Sequence, residues 1–309
     1  MTTTAEIGTQ ERWATINGAR MRYLCCGSGP PLVLIHGLLG YSFSWRFNLA
    51  ELARLRTCYA VDLLGVGFSD RPGGLDCSLR ATALRLLQFM DQVGVASADV
   101  LGTSHGGSVA MLLASEAPDR VRRLILVAPA NPWAVYPRWL LRIVRSPAGP
   151  LLLSNLSRLP AFRRLVLNRL YGDVRRIPPG TLDGYWTAAK LPGTVEYGVK
   201  IARCWEDDLA LLPDILPRIA QIPTLLLWGS RDPAVPLASA DQLCRVFRGA
   251  ELVVIEGAGH LPYEETPQQF NAAVGEFLAR NDVQMGQPPR IARVSGQTGD
   301  GPTIGPVAG

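Results

Sequence analysis

Short apolar runs recur along the chain, each bounded by glycines or polar turns: Pro31–Ile35, Thr57–Val61, and residues 99–102, 123–127, 224–228 and 252–255. None alternates apolar with polar, so each reads as a strand buried on both faces, which is the habit of a parallel sheet. Helical patterns fall between them. Residues 79–93 place Leu84, Leu87 and Met90 at helical spacing, with Gly94 to stop the helix. Val109, Leu112 and Leu113 mark a second helix that Pro118 ends. A last helix starts at Pro267 behind Thr266 as N-cap, with Phe270, Val274, Phe277 and Leu278 along one face. Strand and helix alternating in this way predict an α/β fold, a mostly parallel twisted sheet with helices on both faces. Ahead of it, Asn17-Gly18 between two short strand-like runs predicts an antiparallel hairpin, because a two-residue turn there demands positive φ.

The alternation is interrupted at residues 131–205, a stretch of leucine clusters, prolines, many arginines and four of the seven tryptophans. It reads as a helical lid inserted into one core made of residues 1–130 and 206–282, because the strands on either side need each other to complete that core. Residues 285–309 hold six glycines and four prolines, so the segment 283–309 is expected to be disordered.

Charge follows the same division. The net charge is +5, yet residues 131–203 alone carry 12 Lys or Arg against three acids. That basic surplus makes contact with a membrane surface through the lid one reading and a solvated helical face another. Nucleic-acid binding is not expected, since no reader motif accompanies the charge. The polar start of the chain does not resemble a secretory signal, and no segment approaches the apolar length of a membrane span, so a cytoplasmic protein is expected. The six cysteines lack paired metal-ligand spacing and read as reduced thiols.

The chemistry is concentrated at strand ends. Gly102-Thr103-Ser104-His105-Gly106 puts a Gly-x-Ser-x-Gly between a predicted strand and a predicted helix. A serine on that sharp turn is lifted to the carboxyl end of the sheet, with a helix N-terminus aimed at it. Serine needs a base, and there are three histidines. His105 is the serine's neighbour on the turn and points away from it. His36 follows a strand and reads as shaping its loop. His260, reached through Gly257-Ala258-Gly259 after the run 252–255, is the candidate base. Asp232, at the end of the run 224–228, is the candidate orienting carboxylate, with Asp207 and Asp208 as weaker substitutes that do not follow a strand. An oxyanion would be met by the amides of His105 and Leu38.

His36-Gly37, the loop from Asp62 to Ser69, Gly102 to Gly107, Gly229-Ser230-Arg231-Asp232 with Pro236, and Gly257-Ala258-Gly259-His260 together resemble the α/β-hydrolase superfamily. The branch they resemble most is that of cofactor-free bacterial esterases and carbon-carbon bond hydrolases. The resemblance runs over about residues 31–280, excepting the lid, and implies the catalytic triad and oxyanion donors just named, with no metal or organic cofactor. Dehalogenases and epoxide hydrolases of this superfamily use aspartate where Ser104 stands, so those reactions are not expected.

The lid's rings, with Trp133, Trp139, Trp186 and Trp205 taken with His36 as substrate-binding residues, suit an apolar or aromatic small molecule. The expected activity is hydrolysis of a carboxylic ester through an acyl-enzyme. Carbon-carbon bond hydrolysis on the same triad is the alternative, and a slow-turnover ligand sensor is a third reading.

Overall fold

A computed structural model of the chain describes residues 8–134, 136, 138–280 and 291–295. Nine strands form one sheet: β1 (Gln10–Ile16), β2 (Ala19–Cys26), β3 (Pro31–Ile35), β4 (Thr57–Val61), β5 (Ala98–Thr103), β6 (Val121–Val127), β7 (Thr224–Gly229), β8 (Glu251–Ile255) and β9 (Ile291–Val294). Their spatial order is β1-β2-β4-β3-β5-β6-β7-β8-β9. The first three in that order pair antiparallel and the rest are parallel.

The unbroken apolar runs have a direct cause in this sheet. Along β3, Val33 and Ile35 join one buried cluster with helices α2 (Leu79–Gln92) and α3 (His105–Glu116), while Leu32 and Leu34 join a second on the opposite face. That second cluster includes α1 (Leu49–Leu52) and Phe270, Val274 and Phe277 of α12 (Pro267–Ala279). With both faces covered, neither set of alternate positions tolerates a polar side chain, and cutting one such leucine to alanine costs about 2–5 kcal/mol. At the start of β5, the fully buried Asp99 carboxylate is offset by Arg56 at 2.8 Å, Arg122 at 3.3 Å and Arg123 at 3.8 Å. In the first hairpin Asn17 and Gly18 take φ of 51° and 81°, and Ile16 sits opposite Ala19. All six cysteines are free thiols.

Between β6 and β7 the chain builds α4 (Arg138–Arg145), α5 (Gly149–Arg158), α6 (Pro160–Asn168), α7 (Thr181–Ala189), α8 (Thr194–Ala210) and α9 (Leu212–Ile215). The boundary expected at 205 falls inside α8, which continues to Ala210 because no proline interrupts residues 194–212. Two further helices, α10 (Ala240–Val246) and α11 (Pro262–Glu265), flank β8.

Ile291–Val294, inside the segment expected to be disordered, runs parallel to β8 as the last strand. Ala292 and Val294 pack on the core, the Glu256 amide donates to the Val294 carbonyl at 2.9 Å, and Arg293 pairs with Glu256 at 2.6 Å. Glycine and proline counted over 25 residues concealed a four-residue strand. The rest of that segment lies outside the described residues. Among the described residues, no helix is long and apolar enough to cross a membrane.

Candidate active site

The chain runs from β3 to β4 on one side and then crosses back to place β5 on β3's other side. Such a reversal leaves a crevice at the carboxyl ends of the two strands, where open α/β sheets bind ligands. The loop after β3 and the turn after β5 both open there.

Ser104 occupies that turn with φ 52° and ψ −122°, a backbone state that costs a non-glycine residue about 1–3 kcal/mol. The surroundings hold it there. Its amide donates to the Val127 carbonyl at 2.9 Å, and its carbonyl accepts from Ala130 at 3.0 Å and Gly107 at 2.9 Å. A Cβ on Gly102 would collide with the Gly106 carbonyl, and one on Gly106 with the carbonyls of Ile35 and His36. Both glycines are therefore required for strand, helix and β3 loop to meet at this corner.

His260 and Asp232 are brought together. Nδ1 of His260 lies 2.7 Å from Asp232 Oδ2, with both side chains buried. The amides of Ala234 and Val235 donate to Oδ1 at 2.8 and 2.9 Å, so the carboxylate cannot swing away. With Nδ1 donating to aspartate, Nε2 is the basic nitrogen. The Ser104 hydroxyl makes no hydrogen bond among the described residues, so the Ser104–His260 contact of a working triad is not formed in this structure. Asp208, a weaker candidate, instead accepts from the Leu79 amide at 3.1 Å, with burial pushing its carboxyl up to about 6.

Two glutamates that the sequence reading passed over seat the His260 loop. Glu265 accepts the amides of Gly259 at 2.8 Å, Gly172 at 2.9 Å and Asp173 at 2.9 Å. Glu264 accepts from Arg46 at 2.7 Å, from the Tyr171 hydroxyl at 2.8 Å and from the Tyr185 hydroxyl. Burial, with the Glu264 charge beside them, holds both tyrosine hydroxyls well above their ordinary range. The His260 amide itself donates to the Leu170 carbonyl at 2.7 Å. The signal available in the sequence was an acidic pair, Glu264-Glu265, set in an otherwise apolar stretch just after His260.

Of the expected oxyanion donors, His105 is the first residue of α3 and Leu38 lies in the loop after β3. Neither amide donates a hydrogen bond among the described residues. The loop is tightly wound, with the Gly40 amide donating to the Gly37 carbonyl at 3.0 Å and Leu39 at φ 57°.

The expected substrate contacts divide. His36 is 1% exposed, its Nδ1 lies 2.8 Å from the Gly37 carbonyl, and its Nε2 accepts the Leu63 amide at 3.1 Å. Both nitrogens are spent on bracing two loops, which agrees with the loop-shaping reading of His36 and leaves neither ring nitrogen free for a substrate. Trp139 is 65% exposed on α4 and turns away from the core, and Trp186 of α7 lies under Arg163 of α6 at 3.3 Å as helix packing. Neither ring is brought to Ser104's neighbour by any contact among the described residues, because helical rotation, which aromatic content does not reveal, decides where a ring points. Trp133 is half-buried against the core. Trp205 alone of the four stacks beside Ser104's neighbour, 6.1 Å from His105 with the two rings nearly parallel, and Tyr136 meets Trp205 edge-on at 5.4 Å. Burial, with His36 adding to it, pushes the His105 imidazole down to about 3, and neither of its nitrogens has a partner. Among the described residues no group of three or more His, Cys, Asp or Glu could hold a metal ion.

Residues 30–267 match the family model described as the alpha/beta hydrolase fold. The chain belongs to the α/β-hydrolase fold family. Within this family it is 30% identical over 286 residues to haloalkane dehalogenase 2 of Mycobacterium bovis, a match covering 86% of this chain and 94% of that one. It is 29% identical over 273 residues to 2-hydroxymuconate semialdehyde hydrolase of a Pseudomonas species, covering 86% and 93%. The α/β-hydrolase architecture also aligns with a solved meta-cleavage product hydrolase from Pseudomonas fluorescens at TM-score 0.74 and 25% identity, over 88% of this chain and 97% of that one.

Proposed function

We propose that this α/β hydrolase cleaves carboxylic esters of apolar or aromatic character through an acyl-enzyme on Ser104. The observation that carries the reading is a strained serine at the head of α3, with a hydrogen-bonded His260–Asp232 pair presented from two neighbouring strand ends. The Ser104 oxygen attacks the ester carbonyl carbon while His260 Nε2 takes its proton. The carbonyl electron pair moves to oxygen, where the amides of His105 and Leu38 receive the charge. Collapse expels the alcohol, which leaves with the proton from His260. Water, deprotonated by Nε2, then attacks the acyl carbon; the bond to the Ser104 oxygen breaks, that oxygen takes the proton back from Nε2, and the acid is released.

The nucleophile's identity bears on the dehalogenase relative. Displacing a halide with serine would leave an alkyl ether, which has no carbonyl for water to attack, so the cycle would stop after one event. Trp205 beside His105, with Tyr136 edge-on to it, supports an apolar or aromatic acyl group. Carbon-carbon bond hydrolysis is the second reading, favoured by the similarity to 2-hydroxymuconate semialdehyde hydrolase.

The test is p-nitrophenol release from a chain-length series of p-nitrophenyl esters, by the native protein and by Ser104→Ala, with circular dichroism to show that both fold. Turnover lost in the variant supports the serine hydrolase, and the preferred chain length sizes its acyl site. Equal inactivity of both proteins would remove the ester reading. An unsaturated keto-acid assay then tests the second, and tight binding without turnover in either assay would leave the ligand sensor.

A further inference from the structure

We propose that the outer side of helices α5 and α6 docks this protein onto an anionic lipid bilayer, independently of the chemistry at Ser104.

The two helices form a hairpin joined at Leu159. Several of their exposed positions are apolar, set beside the exposed Asn155, Arg158 and Arg164. Leu151 is 68% exposed, Leu159 53% and Leu165 55%, within fifteen residues of one another. On α5 the exposed leucines 151 and 152 lie with Arg158 at the spacing of a single helix face, and Leu159 is exposed at the joint between the two helices. On α6, Arg164 and Leu165 are exposed together, with Arg169 following one turn later. Scattered exposed leucines need no explanation, but a run of them on two adjoining helices does.

Charge identifies the occupant. Residues 138–169 contain seven arginines and no acid at all. Two of the seven have local uses. Arg145 binds Glu206 at 2.6 Å, and Arg163 lies over Trp186. Arg142, Arg158, Arg164 and Arg169 are exposed and pair with no acid among the described residues. Leucines interleaved with unpaired arginines match the boundary of a bilayer, where acyl chains take the leucines and anionic headgroups take the guanidinium groups. A second copy of the same surface would set arginine against arginine. The surface belongs to the insertion that also supplies Trp205, since α5 packs on α8.

The proposal is tested by co-sedimentation of the full chain with vesicles of pure phosphatidylcholine and with vesicles containing phosphatidylglycerol. Binding is expected only to the anionic vesicles, falling as salt rises. The combined variant Arg158→Gln, Arg164→Gln, Arg169→Gln should bind roughly a hundredfold more weakly, at about fivefold per arginine. Leu151→Ser and Leu165→Ser should each weaken binding roughly tenfold. All three positions of charge and both leucines are exposed, so hydrolysis of a soluble ester and the circular dichroism spectrum should stay unchanged. No binding to anionic vesicles overturns the proposal. So does equal binding of the native protein and the arginine variant, or conversion of a native dimer to monomer by Leu151→Ser, which would assign the face to a second copy.

Discussion

His105 has lost its water and gained no hydrogen bond, and its pKa lies near 3 in the fold against 6.5 when the chain is unfolded. Above pH 6.5 neither state holds the proton. As pH falls below 6.5 the unfolded chain protonates and the folded one does not, so stability drains away down to about pH 3. Urea unfolding across this range should show His105→Phe with a flatter acid limb than the native protein, by as much as about 1.4 kcal/mol per pH unit. An identical slope in both proteins would assign the acid limb to other groups. The same residue marks how far the sequence could be read. Ser104, Asp232 and His260 were legible because each stands where an apolar run ends, and strand ends on a parallel sheet converge on one edge. The partner of His105's ring was not, because Trp205 stands a hundred residues away in the chain. The placement of Trp139 and Trp186 was hidden for the same reason: a ring counts equally in composition whether its helix turns it inward or out.

At the scale of elements, the short helix α11 does more than its four residues suggest. Glu265 gathers three amides from two separate segments, one carrying Gly259 and the other Gly172 and Asp173. Glu265→Gln would turn an amide NH2 toward at least one of these N–H donors and leave it unpaired. A loss of about 2 kcal/mol in denaturant unfolding is expected, with kcat falling more than KM rises, since the His260 loop loses its seat. A variant matching the native protein in both would show the clamp to be idle. Strand elements were the most legible part of the fold, because an apolar run with no alternation has few other homes. The insertion's far boundary was not, because nothing in the sequence stops α8 at Trp205. β9 was hidden among glycines and prolines, too short to alter the composition around it.

For the molecule as a whole, the four-residue β9 is the last strand at one margin of the sheet and covers β8. A chain ending at Arg280 would leave β8 with unpaired amides and carbonyls along Leu252–Ile255. Exposed strand edges of that kind pair with other chains, so the truncated protein should scatter light on warming at a lower temperature than the full chain. Equal onset temperatures would mean the edge is protected by other means. The hydrogen bond from the His260 amide to Leu170 has a wider consequence. The residue proposed as the base rests on a carbonyl from the stretch between α6 and α7, so the insertion and the loop that carries this imidazole are mechanically one part. Grafting a relative's insertion to change substrate preference would therefore also reset the imidazole's height above the nucleophile. Chimeras should fail unless the partner brings its own equivalent of Leu170, whatever the fit of the new acyl site.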